Sequence, residues 1–540
     1  MKKLLTTILC ILLAAVLLVG CSSGGGGTAP SSGGGDAPAS TPGRVEVTGG
    51  AGGAGGFSSV EVVDAEEYKD TFVIGGQMPI TDMDSQVNTS TYVVTQCVYD
   101  TLVTFANNEF SPALATEWEQ TGDLTWEFKL RDDVTFQDGS KFTADDVVFT
   151  LGERLYDVPG TMTSTKLACV EKVEALNDYA VKFTLNVQNQ DFLLFIAQPY
   201  CCIMSRSACA ADAEKGFYIG TGPWKVTDYA PGLSVTMERY DGFWGELPKP
   251  KQMTYVFYPE DSTRFIALQS GDIDACIVVN SADRDAAVQD PNIHVTDIRD
   301  SGLPFVTFNL TDSICGDLNF RKAVGYAINV QDLIMASSDG NGDATPTFWG
   351  AGTYAEYTDC QGFEYDVEKA KEFLAQSNYD GSTITITSAI PEFVKNATII
   401  ADQLKDIGVE AVVDERDMIG MQTYATYENP THQMVSYTTA WTSSADDCRR
   451  YFYSGQHNNR AHIDDPYLDD LIDSALIETD ADKRVEMYHE IQQYVIDNAF
   501  YIPLFHAVYP CACLAGAGGI EWSSISSHHN FRYACTALEG

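Results

Sequence analysis

Residues 124–154, LTWEFKLRDDVTFQDGSKFTADDVVFTLGER, decide the fold. Trp126, Phe128 and Leu130 alternate with polar neighbours, the two-residue period of a strand buried on one face. Asp138-Gly139 supplies a turn, because glycine reaches positive φ at no steric cost. Thr143 stands three residues before Asp146 as a capping box. Its oxygen can accept from an unpaired amide at a helix start, where a carboxylate also suits the positive end of the dipole. Val147, Val148 and Leu151 then recur at helical spacing. The stretch reads as strand, turn, strand, capped helix, and periodicity alone goes no further than an α+β element.

Outward from this stretch, 540 residues are too many for one core, so two or three domains are expected, and 44% hydrophobic with 11% aromatic residues supplies them. The formal net charge of −43 repels phosphate backbones and anionic lipid, so nucleic acid is not an expected partner. The same charge mildly favours neutral or cationic ligands. Lys2-Lys3 and the apolar run 4–19 form a signal segment too short to span a bilayer, and Leu18-Val19-Gly20-Cys21 reads as a lipobox with Cys21 lipidated. Residues 22–59 are rich in Gly, Ser and Pro and bury too little apolar surface to fold. They read as a tether with a reach of roughly 30–35 Å. Twelve of the 14 cysteines lie beyond Cys10 and Cys21. Neither Cys201-Cys202 nor Cys511-Ala-Cys513 is placed for an internal bridge or for zinc, so buried free thiols are expected.

The literal residues of the opening stretch, F-x-L-R-x-x-V-x-F-x-D-G-x-x-x-T-A-x-D-V-x-F, closely resemble the signature of extracellular solute-binding protein family 5, the peptide/nickel receptors of ATP-binding-cassette importers. Further blocks follow in order. They are Val98-Tyr-Asp-Thr-Leu-Val103, Pro112-Ala-Leu-Ala-Thr-Glu-Trp118, Gly220-Thr-Gly-Pro-Trp224, Arg239-Tyr-Asp-Gly-Phe-Trp-Gly245, Ala267-Leu-Gln-Ser-Gly-Asp-Ile-Asp274 and the Arg321–Ile328 helix. The resemblance runs from about Val73 to Phe505. It implies an α/β, two-lobed periplasmic-binding-protein (Venus-flytrap) fold of the large peptide-binding type, with an extra subdomain in the first lobe. Residues 60–95, 215–305 and 506–540 are expected to form lobe I, 96–214 its added subdomain and 306–505 lobe II. Hinges are expected near Phe308-Asn309 and near Ile502 to Phe505. In the helix-rich last region, Asp366 and Asn396 read as helix caps and Gly408 as a helix stop.

The resemblance also points to Tyr437–Asp447, YTTAWTSSADD, as the ligand site. Trp441 offers a flat face for stacking. In peptide receptors of this family, an aspartate three residues after the matching tryptophan anchors the ligand's ammonium. Here that position is Ser444, which cannot neutralise an ammonium. Asp446 is the expected replacement, with Asp447 matching the family's downstream aspartate. Tyr437 and Asn309 complete the expected ligand set.

The expected partners are an oligopeptide, a separate permease and ATPase, and the membrane through lipid at Cys21, with the body held outside the cell membrane. A short oligosaccharide or a nickel chelate is the alternative within the class, and a surface hydrolase or adhesin lies outside it. No cofactor or metal is expected. His457, His462, Asp464 and Asp465 cluster without a ligand spacing, and Asp339-Gly-Asn-Gly-Asp343 lacks the later residues of a calcium loop. His528-His529 reads as a polar turn. His489-Glu-Ile-Gln-Gln493 has glutamine where a zincin needs histidine, and there is no G-x-S-x-G elbow or P-loop lysine, so an enzyme is not expected.

Overall fold

The computed structural model describes residues 57–106, 109–349, 355–440 and 445–538. Cys21, Trp441 and Ser444 lie outside them. The strand expected in the opening stretch is Thr125–Leu130, with Trp126, Phe128 and Leu130 all buried. Burying side chains of this size contributes about 1.5–3 kcal/mol each. They pack against Phe183 and Phe192, with Phe128 and Phe183 edge to face at 5.4 Å. Gly139 adopts φ +88, and the Thr143 amide donates to the Asp146 carboxylate at 3.0 Å, starting the helix Ala144–Val148. The second strand shrinks to one bridge, Thr135 with Lys141.

This stretch belongs to a four-stranded antiparallel sheet ordered Ala115–Gly122, Thr125–Leu130, Ala180–Leu185, Val170–Asn177. It is the subdomain of the first lobe. The first lobe itself is built on a sheet ordered Ile293–Arg299, Phe505–Leu514, Ala275–Cys276, Thr71–Gly76, Gln252–Phe257, Ser234–Arg239, Trp224–Ala230. The second lobe has a five-stranded sheet ordered Ala411–Glu415, Ile384–Ser388, Met434–Ala440, Gly302–Phe308, Tyr501–Pro503.

Several of the sequence blocks are joints between these parts. The Gln137 amide, inside the opening stretch, donates to the carbonyls of Val98, Gly222 and Trp224 at 2.9–3.0 Å and accepts from the Gly220 amide at 3.1 Å. Buried Asp100 accepts from Thr221 at 2.7 Å and Trp244 at 3.0 Å, and pairs with Arg532. Asp274 accepts from Lys69, Thr536 and the Val73 amide at 2.8–2.9 Å. Each of these buried polar groups finds partners across the joint, as burial away from water requires.

The chain changes lobes at Asp300-Ser301, not at Phe308-Asn309. Gly302–Phe308 pairs along its whole length with Met434–Ala440, so it already lies within the second lobe, and Phe308 is at the strand's far end. The return crossing is at Leu504, inside the expected Ile502–Phe505 region. His506 Nδ1 donates to the Asp300 carbonyl at 2.9 Å across this joint. Asp366 does cap its helix, accepting from the Lys369 amide at 2.9 Å, and Gly408 takes φ +85 where its helix stops. Asn396 is no cap. Its helix starts earlier, at Pro391, whose fixed φ suits the first turn, and Asn396 is buried in the interior, accepting from Ser337.

The twelve cysteines from Cys97 to Cys535 are free, and all but Cys209 are buried. Among the described residues no helix is long and apolar enough to cross a membrane.

Candidate functional site: a cavity between the lobes

A cavity of about 400 Å³ lies where the subdomain, the second lobe and the C-terminal segment meet. That is within the roughly 300–1,000 Å³ usual for small-molecule sites. The first lobe and its subdomain contribute Tyr92, Met162, Lys166, Phe195, Gln198 and Tyr200. The second lobe contributes Tyr437, Thr439, Asp447, Arg450, Tyr451 and Arg460, and the C-terminal segment Ser527 and His528.

Tyr437 lines the cavity. It ends up buried on the strand Met434–Ala440, with its hydroxyl 3.0 Å from Met418 Sδ. Asp446 and Asp447 open the helix Ala445–Phe452, where carboxylates suit the N-terminal end. Asp446 is not free to anchor an ammonium. Lys166, which ends the helix Met162–Lys166 of the subdomain, reaches across and donates to Asp446 at 2.8 Å and to Asp447 at 3.2 Å. Burial of Lys166 opposes its charge, but Asp447 and Asp446 outweigh burial and hold the ammonium above its ordinary range. Asn309 does not line the cavity. It is fully buried, donating to the carbonyls of Pro430 and His432 at 3.0 and 2.8 Å and accepting from the Thr311 amide and hydroxyl at 2.9 and 2.7 Å. Trp441 and Ser444 remain outside the described residues.

Sequence reasoning missed Lys166, Arg450, Arg460 and Tyr92. Arg460 is 5% exposed. Among the described residues it has no carboxylate at ion-pair distance, its Nε has no hydrogen-bond partner, and one of its outer nitrogens makes only a 3.4 Å contact to the Asn458 carbonyl. Its guanidinium lies 5.6 Å from the Tyr437 ring centre. Such a contact contributes about 0.5–2 kcal/mol, less than the several kcal/mol that an uncompensated buried charge costs. Among the described residues, Arg450 has the Tyr451 ring at 5.4 Å and no carboxylate at ion-pair distance. The Tyr92 and His528 rings lie 5.2 Å apart, tilted at 41° to each other. The Tyr92 hydroxyl and both His528 ring nitrogens are buried without partners, and burial lowers the His528 pKa to about 4. The cavity thus presents polar groups that nothing within the described chain satisfies.

The other sequence candidates are structural. His457 pairs with Glu428 at 2.9 Å, His489 lies 2.9 Å from the Glu356 carbonyl and Asp343 pairs with Arg299 at 2.5 Å. The Tyr427 ring stacks on His462. Among the described residues no group of three or more His, Cys, Asp or Glu side chains is arranged to hold a metal ion.

A family model described as bacterial extracellular solute-binding proteins, family 5 Middle, matches residues 109–461. The dipeptide-binding protein of Escherichia coli K12 is 26% identical over 458 residues, covering 76% of this chain and 84% of that protein. Heme-binding protein A of Haemophilus influenzae is 26% identical over 466 residues, covering 78% and 83%. Among solved structures, HbpA2 from Haemophilus parasuis superposes with a TM-score of 0.77 at 21% identity, covering 87% of this chain and all of that one, a likeness of fold.

Proposed function

Because the chain belongs to the bacterial extracellular solute-binding proteins of family 5, a class of transport binding proteins and not enzymes, we propose that it captures a short oligopeptide in the cavity between its lobes. Lipid at Cys21 holds the protein on the outer face of the cell membrane, and residues 22–59 let the body reach its permease, whose ATPase is a separate chain. The lobes swing about Asp300-Ser301 and Leu504, the two places where the chain passes between the sheets. Trp441, next in sequence after the strand Met434–Ala440, is the proposed stacking face for the ligand, and Ser444 a proposed hydroxyl partner.

One observation carries this reading. The described walls leave the Tyr92 hydroxyl, the His528 ring and Arg460 Nε buried and unpartnered around a 400 Å³ space. A buried donor left unpaired costs about 1–3 kcal/mol, so a ligand that pairs with these groups regains that energy on binding. The test is a thermal-shift panel of random tripeptides, maltotriose and a nickel–histidine chelate. The peptides should raise the melting temperature without being consumed, and Trp441→Ala should abolish the rise. Stabilisation by maltotriose or the chelate alone would defeat the peptide assignment.

A further inference from the structure

The cavity's charges have the opposite sign from the protein's. The chain carries a formal −43, yet among the described residues the cavity is lined by Lys166, Arg450 and Arg460 against the single carboxylate of Asp447, while Asp446, outside the lining, pairs with Lys166 from behind. Both acids are engaged by the Lys166 ammonium, so a ligand ammonium would have to displace a buried partner that is part of the protein. Arg460, buried and without a carboxylate among the described residues, and Arg450, equally without one, both line the space. A guanidinium fork matches a carboxylate with two parallel hydrogen bonds and keeps its charge at any working pH.

We propose that the cleft selects carboxylate-bearing, anionic ligands, which Arg460 and Arg450 hold, and that Lys166 is a specificity residue which occupies the acids an amine would otherwise use. The proposal rests on the solute-capture reading above. It replaces amine anchoring with anion anchoring, and reverses the preference for cationic ligands that the overall charge suggests. His528 and Tyr92, on the opposite wall, supply neutral hydrogen-bonding groups and add no charge that would repel an anion.

The experiment uses tripeptide libraries made without Asp or Glu in three terminal forms: N-acetyl with free carboxylate, free amine with C-terminal amide, and both ends blocked. Citrate serves as a non-peptide carboxylate. Melting temperature and calorimetric affinity are read on wild type, Arg450→Gln, Arg460→Gln and Lys166→Met. The acetyl/carboxylate library should stabilise wild type and the amine/amide library should not. Arg460→Gln should weaken the former at least tenfold. Arg450→Gln, on a partly exposed side chain, gives the same readout should Arg460→Gln fail to fold. Lys166→Met should gain response to the amine/amide library. Equal response of wild type to the two singly free libraries, or less than a twofold loss in the folded arginine variants, overturns the proposal. Response to citrate with none to any peptide form keeps the anion proposal and removes the peptide reading. Response only to the amine/amide form does the reverse, and response to nothing removes both.

Discussion

Lys166→Met removes the ammonium that bridges the subdomain to Asp446 and Asp447 of the second lobe. The Lys166 and Asp447 side chains are 5% and 3% exposed, whereas Asp446 is 30% exposed. Deleting one member of a buried pair costs about 3–5 kcal/mol, because the remaining charge stays buried without a counter-ion. The Asp447 contact carries most of that, since water reaches Asp446 and screens it. A body the size of residues 57–538 has an unfolding entropy of about 1 kcal/mol/K, so the melting temperature should fall by about 3–5 °C. Scanning calorimetry of the ligand-free protein measures this directly. The triple variant Lys166→Met, Asp446→Asn, Asp447→Asn should recover most of the loss, because removing both sides of a buried pair is often close to neutral. A single variant melting within 1 °C of wild type, or a triple variant worse than the single, would refute the reasoning that Lys166 neutralises these acids.

Asn309→Ala should cost about 2–3 kcal/mol, since two carbonyls and two Thr311 donors lose their partner. Urea midpoints measure that loss. Ligand affinity should stay within twofold, and a larger change would return Asn309 to the ligand site. His528 and His529 have pKa values lowered by burial to about 4 and about 3, the latter also by the charge of His528. The unfolded imidazoles bind protons below about 6.5 that the folded ones refuse. Their contribution to stability is therefore complete above that pH and declines as pH falls toward about 4. Over pH 6.5 to 4.5 the urea midpoint should fall more steeply in wild type than in a His528→Gln/His529→Gln variant, and parallel slopes would count against it. Cys21→Ser should release the protein from membranes and abolish palmitate labelling; labelling that persists defeats the lipobox reading.

The fold was legible because its markers are local. A turn glycine such as Gly139, a cap such as Asp366 and an alternating strand such as Thr125–Leu130 each act within a few residues, and their order along the chain specifies two lobes. The first crossing is not legible, because residues 306–309, around the expected hinge at Phe308-Asn309, have the composition of a strand, and nothing in a strand's composition says where its sheet ends. Asn396 misled because an asparagine ahead of an apolar stripe resembles a cap even when the helix has already begun at Pro391. The site was only half legible. Tyr437, Asp446 and Asp447 sit in a block that announces itself. Lys166 lies 280 residues from Asp446 in sequence, inside an unremarkable Thr/Ser-rich segment, and only the folded chain joins them. Arg450 and Arg460 look like any solvated charge until the folded chain brings both to the cavity without a carboxylate among the described residues, Arg460 buried as well.

The free thiols set a kinetic condition on biogenesis. Once folded, the buried cysteines are nearly inert, since burial raises their pKa values and leaves almost no thiolate to react, as for Cys97, pushed up to about 12. An extended chain emerging outside the cytoplasm has no such shelter, and any pair of sulfurs that meet before collapse can lock in a wrong connection. The protein is thus suited to surroundings poor in oxidant, or to closing its cores faster than oxygen arrives. Refolding yield should fall with added oxidised glutathione during the first moments of folding and become indifferent to it afterwards.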